Sequence, residues 1–436
     1  MTRPDFESRT AEAWRHITDA LAEELAVGMT GIPSPPGAER ELATWAASRL
    51  RAEGIEAEVQ HVQGDLANAV GRISTGRPGP ELLLYSPIDT HLSGDPADDQ
   101  PWAGAEESGE ITPRAQVRDG YVIGLGANNP KGHAAAVLAA GIAIRRSGVS
   151  LPGTLRIGLG GGGMPTNAGD APEPPPTRRI GHGAGCGYLL EQGGLPDAAI
   201  IAKSGDAVAW EEPGLTWFKI SVRGRLSYAG LRGTGLHRNP ILAAQPVIDA
   251  LEGWFDSYAE RNERGLVRPQ GAVTAIRAGW PHKPAFVPAE CHIYLDLRTS
   301  PGVSSAAAER QLRTGLEAVG RELAERGFGL GVERVLSIPG SRTDPGEDII
   351  RRSIAAWELV SGRSHEPIRR TSGATDANIL RAWGVPTARI GMPRAGEQSG
   401  VADDFARAMN VCGVTNIVRL ARILVAVTLG GDQAAS

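Results

Sequence analysis

The order of predicted secondary structure constrains the fold of this chain more than any other feature. Two patterns alternate along its 436 residues. In residues 1–213 and again in 339–436, predicted strands and helices follow one another singly, which is typical of a mainly parallel sheet sandwiched by helices. Between them, residues 214–338 predict the order strand, helix, strand, strand, helix, strand, with a long helix over Pro240–Asn262. The sequence therefore predicts an α/β protein with a small ferredoxin-like α+β domain inserted into it.

Composition and charge exclude several classes of protein. The formal net charge is -5, without the basic surplus typical of nucleic-acid binders. The three cysteines, Cys186, Cys291 and Cys412, are far apart and lack CxxC spacing, so we expect neither a disulfide framework nor a zinc knot. The N-terminus has no apolar signal region, and the longest apolar run, 423–429, is too short to span a bilayer. We therefore expect a cytoplasmic protein that binds neither nucleic acid nor membrane.

Polar loops follow the predicted strands of the larger domain. Ligands of open parallel sheets bind beyond the carboxyl ends of the strands, so these loops should form the site. The loops are SPIDTH (86–91), GANNPKG (126–132), GGGGMPTN (160–167), AKSGD (202–206) and TSGATDA (371–377).

Several short motifs resemble those of the zinc-dependent exopeptidase and deacylase family. It includes acetylornithine deacetylase, succinyl-diaminopimelate desuccinylase, aminoacylase and carboxypeptidase G, and the resemblance covers nearly the whole chain. It implies that the inserted domain is a dimerisation domain and that the protein is a homodimer. SPIDTH (86–91) corresponds to the family's GHxDxV, with Trp102 where a tryptophan often follows, and residues 124–132 correspond to GRGAxDxKG. Residues 224–230 correspond to GxxxHAG, and 372–377 to SGGTDA. Asn239 corresponds to the family's asparagine before a helix, and Asp296 with Arg298 to its DxR pair.

The departures from the family pattern concern its metal ligands. Family members bind two zinc ions through two histidines and three carboxylates, as zinc requires. Pro87, Asn129 and Lys203 stand at the family's positions for the first histidine, the bridging aspartate and the third carboxylate. The family's paired glutamates fall near 161–163 or 181–182. Its last histidine falls near 398–400, where this sequence has no histidine. Proline and glycine offer no ligand atom, and a lysine ammonium repels a dication in a low-dielectric pocket. We therefore expect no metal and no other cofactor.

Two interpretations of the lost ligands remain open. Decay would leave a non-enzymatic binding protein, whereas repurposing would leave a metal-free active site. The pocket keeps polar side chains, which favours repurposing: Asp89, His91, Asn128, Asn129, Lys131, Lys203, Ser204 and Asp376. We expect a metal-independent hydrolase that cleaves a C–N amide-type bond in a small, carboxylate-bearing substrate. A non-hydrolytic reaction on the same scaffold, such as acyl transfer, condensation or isomerisation, is the alternative.

Lys203 is the leading catalytic candidate because it ends a buried strand. Burial would lower its pKa and suit it to act as a base, an electrophilic anchor or a Schiff-base nucleophile. A salt bridge to Asp206 is the structural alternative. Ser204 is its neighbour, but adjacent strand residues point to opposite faces.

The other catalytic candidates are Asp89, His91, Asn129 and His182. Asp89 or His91 would activate water, although Asp89 has the alternative of capping a loop. Asn129 and the backbone amides of the glycine run at 160–163 would hold an oxyanion. His182 would pair with Cys186, four residues later, if both lay on one helix face.

Substrate binding is assigned to residues of both domains. Tyr228 stands where the resemblance implies an oxyanion-stabilising histidine contributed across the dimer. A guanidinium suits carboxylate recognition, which favours Arg238 and Arg298. The full set of substrate-binding candidates is Asn128, Lys131, Ser204, Tyr228, Arg238, Asn239, Arg298, Ser372 and Asp376.

Overall fold

The structure is a computed structural model that describes residues 3–74, 76, 78–103, 112–166, 181–234, 237–396 and 405–430. Three features named above lie outside these residues: the position near 398–400, the side chain of Trp102 and Asn167 at the end of the 160–167 loop. The chain divides into two compact units. Unit 1 comprises residues 1–210, 343–368 and 375–436, and unit 2 comprises 211–342 and 369–374.

Helices and strands alternate through both units. The helices are α1 (Arg3–Trp14), α2 (Asp19–Thr30), α3 (Arg40–Ala52), α4 (Pro96–Ala103), α5 (His133–Ser147), α6 (Ala184–Gly193), α7 (Pro240–Asn262), α8 (Ser305–Glu325), α9 (Asp348–Ser361), α10 (Ala377–Ala382), α11 (Phe405–Asn410) and α12 (Val414–Leu429). The strands are β1 (Glu56–Gln63), β2 (Leu66–Ser74), β3 (Glu81–Pro87), β4 (Gln116–Arg118), β5 (Tyr121–Ile123), β6 (Thr154–Gly160), β7 (Ala198–Ala202), β8 (Val208–Ala209), β9 (Glu211–Glu212), β10 (Gly214–Arg223), β11 (Ser227–Tyr228), β12 (Gly271–Ala278), β13 (Phe286–Val287), β14 (Glu290–Thr299), β15 (Gly329–Ile338), β16 (Ser341–Arg342), β17 (Thr387–Ile390) and β18 (Val411–Gly413).

Unit 1 is built on a sheet with the strand order β1-β2-β6-β3-β7-β17-β8. The four central strands pair in parallel, while β1, β2 and β8 join antiparallel. The sheet is therefore mixed at its edges and parallel in its centre. Because the central strands are parallel, their carboxyl ends meet at one edge, where the polar loops begin.

Helices cover both faces of this sheet, as the alternation of side chains along β3 shows. Leu82 and Leu84 belong to the larger core with α2, α5 and α12. Leu83 and Tyr85 belong to a second core with α6 and α10. Successive strand residues point to opposite faces, so an apolar run is what a strand buried on both sides requires. The α/β fold predicted from the sequence is confirmed.

Unit 2 is built on an antiparallel sheet with the order β12-β14-β10-β15. In chain order this is 2-3-1-4, the ferredoxin-like arrangement, and α7 and α8 supply the helices of its core. Helix α7 begins at Pro240 because Asn239 caps it, its side chain accepting from the Ile241 amide at 3.0 Å. Among the described helices of the chain, none is long and apolar enough to cross a membrane.

Candidate functional site

The backbone amides that follow β6 all donate to buried side chains. The glycine run was expected to offer these amides to an oxyanion, and that expectation is wrong because each already has an acceptor. The donors and acceptors are Gly161 to Asn68 Oδ1 at 3.1 Å, Gly162 to Glu39 Oε1 at 2.7 Å, Gly163 to Asp89 Oδ1 at 2.8 Å and Met164 to Asp89 Oδ2 at 2.6 Å.

Glycine is required in this loop because carboxyl groups occupy the space of its missing side chains. A Cβ at Gly163 would lie 3.0 Å from Asp89 Oδ1 and 3.1 Å from Asp376 Oδ2. A Cβ at Gly161 would lie 3.1 Å from Glu39 Oε2. Three carboxyl groups from distant parts of the sequence therefore converge on the loop after β6.

Asp89 is fully buried at the carboxyl end of β3. Burial raises the pKa of this carboxyl, although the two amides it accepts from and the charge of Lys203 lower it. Its contacts match the loop-capping alternative, because both oxygens hold the 163–164 backbone. Each oxygen still has a second lone pair that could accept a proton.

Lys203 lies at the same edge of the sheet, at the end of β7, and is only 8% exposed. Burial lowers the pKa of its ammonium, the charges of Asp89 and Asp376 raise it, and that of Arg389 lowers it again. Within the described residues, neither a hydrogen bond nor an ion pair engages Lys203 Nζ. A buried cation with no direct partner is costly, which makes it a candidate for contact with a ligand.

The alternative pairing of Lys203 with Asp206 does not form. Asp206 instead pairs with Arg419 at 2.6 Å and Arg363 at 3.1 Å. The neighbouring Ser204 is exposed while Lys203 is buried, as expected for successive residues on opposite sides. The exposure of Ser204 therefore gives no support to a Ser–Lys pair, as the alternation of strand residues already indicated.

Asp376 is joined to β3 by Tyr85, whose hydroxyl donates to Asp376 Oδ2 at 2.7 Å. Burial, and after it the charge of Asp376, raise the pKa of the Tyr85 phenol well above its usual value. Cys186 packs in the same core, and burial also raises the pKa of its thiol well above the usual range. The nucleophilic pairing of Cys186 with His182 is therefore wrong, because the thiol stays protonated and His182 precedes α6 rather than sharing its face.

Two histidines near Lys203 are neutral at pH 7. Burial lowers the pKa of His91 to about 4, with Asp99 raising it and Lys203 lowering it. Burial lowers the pKa of His133 to about 3, although its Nδ1 lies 2.7 Å from the Asn128 carbonyl oxygen. An imidazole of such low basicity is a weak general base, so Asp89 is the better candidate.

The loop at 126–132 mostly serves the backbone around it. Asn128 donates to the Ala408 carbonyl at 2.8 Å, and Lys131, fully buried, donates to the Ile32 carbonyl at 2.6 Å. Burial lowers the pKa of Lys131 to about 7. These contacts give both residues a structural role in place of the predicted substrate contact. Asn129 is half-buried, and its Nδ2 faces the Met409 sulfur at 3.3 Å, a weak acceptor that an oxyanion could replace.

The predicted arginine of unit 2 forms an ion pair within its own strand. Arg298 binds Asp296 through two bonds of 2.7 and 2.9 Å and also donates to the Ser372 carbonyl at 3.1 Å. The Ser372 hydroxyl donates to the Arg268 carbonyl. The bidentate geometry proposed for a substrate carboxylate is therefore taken by Asp296, and Ser372 links backbone segments of unit 2.

The remaining candidates of unit 2 lie at element ends. Asn239 caps α7, a structural role that leaves its carbonyl oxygen engaged. The ring of the exposed Tyr228 packs beside Phe286, with 6.0 Å between ring centroids. A Cβ on Gly327 would lie 2.9 Å from Arg238 Nε, so this arginine packs beside the turn after α8.

Glu39, Tyr85 and His133 belong to the site of unit 1 but were not predicted. Glu39 directly precedes α3, where an acidic residue is expected merely to favour a helix start. Tyr85 looks like one more residue of an apolar strand. No local signal in either segment distinguishes them, because their role depends on strands and loops from elsewhere in the chain.

Comparisons with known proteins agree with this architecture. Residues 211–323 match the family model of the peptidase dimerisation domain. The di-peptidase Dug1p from Saccharomyces cerevisiae is 13% identical with a TM-score of 0.72, over 98% of this chain and 99% of that chain. Human carnosine dipeptidase 1 is 15% identical with a TM-score of 0.70, over 96% and 98%. The YXEP protein of Bacillus subtilis, a dinuclear metal binding peptidase from the M20 family, is 14% identical with a TM-score of 0.60, over 99% of both.

These similarities define the class of protein: an α/β fold of the zinc-exopeptidase type that carries a peptidase dimerisation domain. More particularly, the chain shares its fold with peptidases of the M20 family. The resemblance stated from the sequence motifs is confirmed.

The described residues of the site do not fit a pair of zinc ions. In the part of the chain that the structure describes, no group of three or more histidine, cysteine, aspartate or glutamate side chains could hold a metal. The charges of Asp89 and Asp376 already act on the Lys203 ammonium. Asp89 in addition has both oxygens on backbone amides. A cation that already faces these two carboxyl groups opposes the binding of a second one.

Proposed function

We propose that this protein is a hydrolase of a C–N amide-type bond in a small, carboxylate-bearing molecule, and that it works without a metal. The observation that carries the proposal is Lys203, a buried ammonium without a direct partner among the described residues, at the sheet edge where ligands bind. The fold is shared with peptidases, whose reaction breaks the same kind of bond. Lys203 supplies the positive charge that such a reaction requires.

In this mechanism Asp89 takes a proton from water as the water oxygen attacks the amide carbon. Lys203 donates to the oxyanion that develops, with the Asn129 amide group as a second donor. The proton then passes from Asp89 to the leaving nitrogen, the C–N bond breaks, and a carboxylic acid and an amine leave. The raised pKa of Asp89 suits it to both transfers.

We also propose that unit 1 is catalytic and that unit 2 mediates a homodimer. The supporting observation is the match of residues 211–323 to a peptidase dimerisation domain. We place the protein in the cytoplasm, which agrees with its three cysteines all being free. The domain boundaries proposed from the sequence are 1–213, 214–338 and 339–436.

A panel of N-acyl amino acids and dipeptides tests the proposal. We expect turnover that survives EDTA, protein without stoichiometric zinc by elemental analysis, and a loss of at least about 100-fold in kcat for Lys203→Met. Lys283→Met, which removes an exposed lysine of unit 2, is the matched control and should leave turnover unchanged.

Other outcomes identify the other candidate functions. Turnover abolished by EDTA and restored by zinc would overturn the metal-free mechanism. Ligand binding without turnover would make the protein a binding protein. A borohydride-trapped adduct on Lys203 would indicate Schiff-base chemistry and a non-hydrolytic reaction.

A further inference from the structure

Glu39 brings a second buried carboxyl group to the loop held by Asp89. Its side chain is fully buried, and its Oε1 accepts from the Gly37 amide at 2.9 Å and the Gly162 amide at 2.7 Å. Its Oε2 is buried and has no hydrogen-bond partner in the described part of the chain. An ionised carboxylate would leave that oxygen with an unsatisfied negative charge.

The two carboxyl groups hold neighbouring amides of one loop. Glu39 holds Gly162, and Asp89 holds Gly163 and Met164. Two ionised carboxylates this close and this deeply buried would repel each other in a medium of low dielectric constant. A single proton on either group removes the repulsion and keeps the hydrogen bonds of both carboxyl groups to the loop amides.

The surroundings decide which group holds the proton. Asp89 accepts from an amide on each oxygen and feels the positive charge of Lys203, so its ionised form is the better stabilised. Glu39 has backbone donors on one oxygen only, and the charge that acts on it is the negative one of Asp89. On the same loop, the neighbouring Gly161 amide donates to the neutral side chain of Asn68 on β2, so this pair brings no charge to the loop that Glu39 holds.

We infer that Glu39 is a positioning residue that carries a proton in the resting site and thereby keeps Asp89 ionised. The catalytic role of Asp89 rests on the proposed function, but the protonation of Glu39 does not. Burial, with the Asp89 charge as the next cause, raises the pKa of Glu39 to about 8, which agrees with a neutral group at pH 7.

The sign of the pH dependence follows from this protonation. Glu39 keeps its proton in the folded chain up to about pH 8, while in the unfolded chain its pKa has the ordinary glutamate value of 4.5. Folding stability from this group is fully present below pH 4.5 and is lost as the pH rises through about 8. Above that pH, repulsion between two negative carboxylates should weaken the hydrogen bonds that Glu39 and Asp89 accept from the Gly162 and Gly163 amides.

Titration by ¹³C NMR of protein labelled in its glutamate side-chain carboxyls tests the inference without a substrate. We expect one carboxyl resonance that titrates above pH 7 in the wild type and is missing in Glu39→Gln. Glu41→Gln, an exposed position on α3, is the matched control and should keep that resonance. Thermal midpoints should fall from pH 5 to pH 8 less steeply in Glu39→Gln than in the wild type.

All glutamate resonances titrating below pH 6, or an unaltered pH dependence of the midpoint in Glu39→Gln, would overturn the inference. If Glu39→Gln does not fold, the wild-type titration alone decides, because an exposed glutamate titrates near about 4.3 and does not keep its proton above pH 7. A high-pH resonance in a protein that hydrolyses no amide would support the inference and count against the proposed function alone. Once a substrate is known, Glu39→Gln should lose the alkaline limb of the wild-type pH–activity profile.

Discussion

Tyr85 shows how a single buried hydroxyl fixes a charged group of the site. Its OH donates to Asp376 Oδ2 at 2.7 Å, and its ring packs with Leu83 in the core under α6 and α10. Hydrogen bonds to charged acceptors are among the stronger ones in proteins. Because both groups are buried, water cannot replace the bond when it is lost.

The change Tyr85→Phe should destabilise the protein by about 1.5–3 kcal/mol, since Asp376 would lose a donor while remaining buried. The measurement is urea unfolding at pH 7, which gives the free energy of unfolding. Tyr188→Phe on α6 is the control, because that half-buried hydroxyl has no hydrogen bond within the described residues. The control should stay within about 0.5 kcal/mol of the wild type. Equal effects of both changes would show that Asp376 does not depend on Tyr85.

Sequence reasoning at this scale succeeded where a residue type contradicted its position. A lysine after a buried strand is unusual enough to single out Lys203 from the sequence alone. Glu39 contradicts nothing locally, since an acidic residue before a helix is ordinary. Its significance comes from the Gly162 amide, which lies 123 residues away in the sequence. Contacts of that kind cannot be predicted from local patterns.

At the scale of elements, the loop after β6 and the helix α6 give glycine two different roles. Gly163 faces Pro87, Asp89 and Asp376, each of which lies within 3.1 Å of an added Cβ. Gly187 lies within α6 and has nothing within 4 Å of an added Cβ. One glycine is required by its surroundings, whereas the other only weakens its helix.

We therefore expect Gly163→Ala and Gly187→Ala to change stability in opposite directions. Gly163→Ala should cost about 1–3 kcal/mol, because Asp89 and the chain after β3 must move to admit the methyl group. Gly187→Ala should add about 0.5–1 kcal/mol, because alanine loses less backbone entropy in a helix. Thermal unfolding of both variants at pH 7 measures this. A stabilised Gly163→Ala protein would mean that the loop does not pack against these carboxyl groups as described.

The elements themselves could be predicted to different degrees. Helix α7 was predicted with its observed bounds, because Asn239, Pro240 and the apolar periodicity all indicate the same start. The hairpin of β1 and β2 was not predicted. Strand β1 is an edge strand whose residues are mostly exposed or half-buried, so its pattern carries little apolar alternation. Its antiparallel pairing with β2 contributes to the mixed edge of a sheet that was expected to be mainly parallel.

For the whole molecule, the proposed homodimer depends on surfaces that unit 2 exposes. The large apolar side chains of this unit that are more than half exposed are Leu226, Tyr228, Leu242, Ile276, Trp280 and Phe286. Strand β12, which carries Ile276, is an edge strand of its sheet. An edge strand with exposed apolar residues offers unpaired backbone groups to a second chain. Together with the match to a dimerisation domain, this favours self-association through unit 2.

The change Ile276→Glu should weaken the dimer, because a charge on an edge strand opposes burial in an interface. A loss of about 2 kcal/mol, typical of an interface hot spot, raises the dimer dissociation constant about 30-fold. Sedimentation equilibrium measures that constant directly. Leu195→Glu, an equally exposed leucine of unit 1 at 55%, is the control and should leave association unchanged. If the control dissociates the dimer and Ile276→Glu does not, the interface lies on unit 1, and unit 2 must bury its apolar surface in another way.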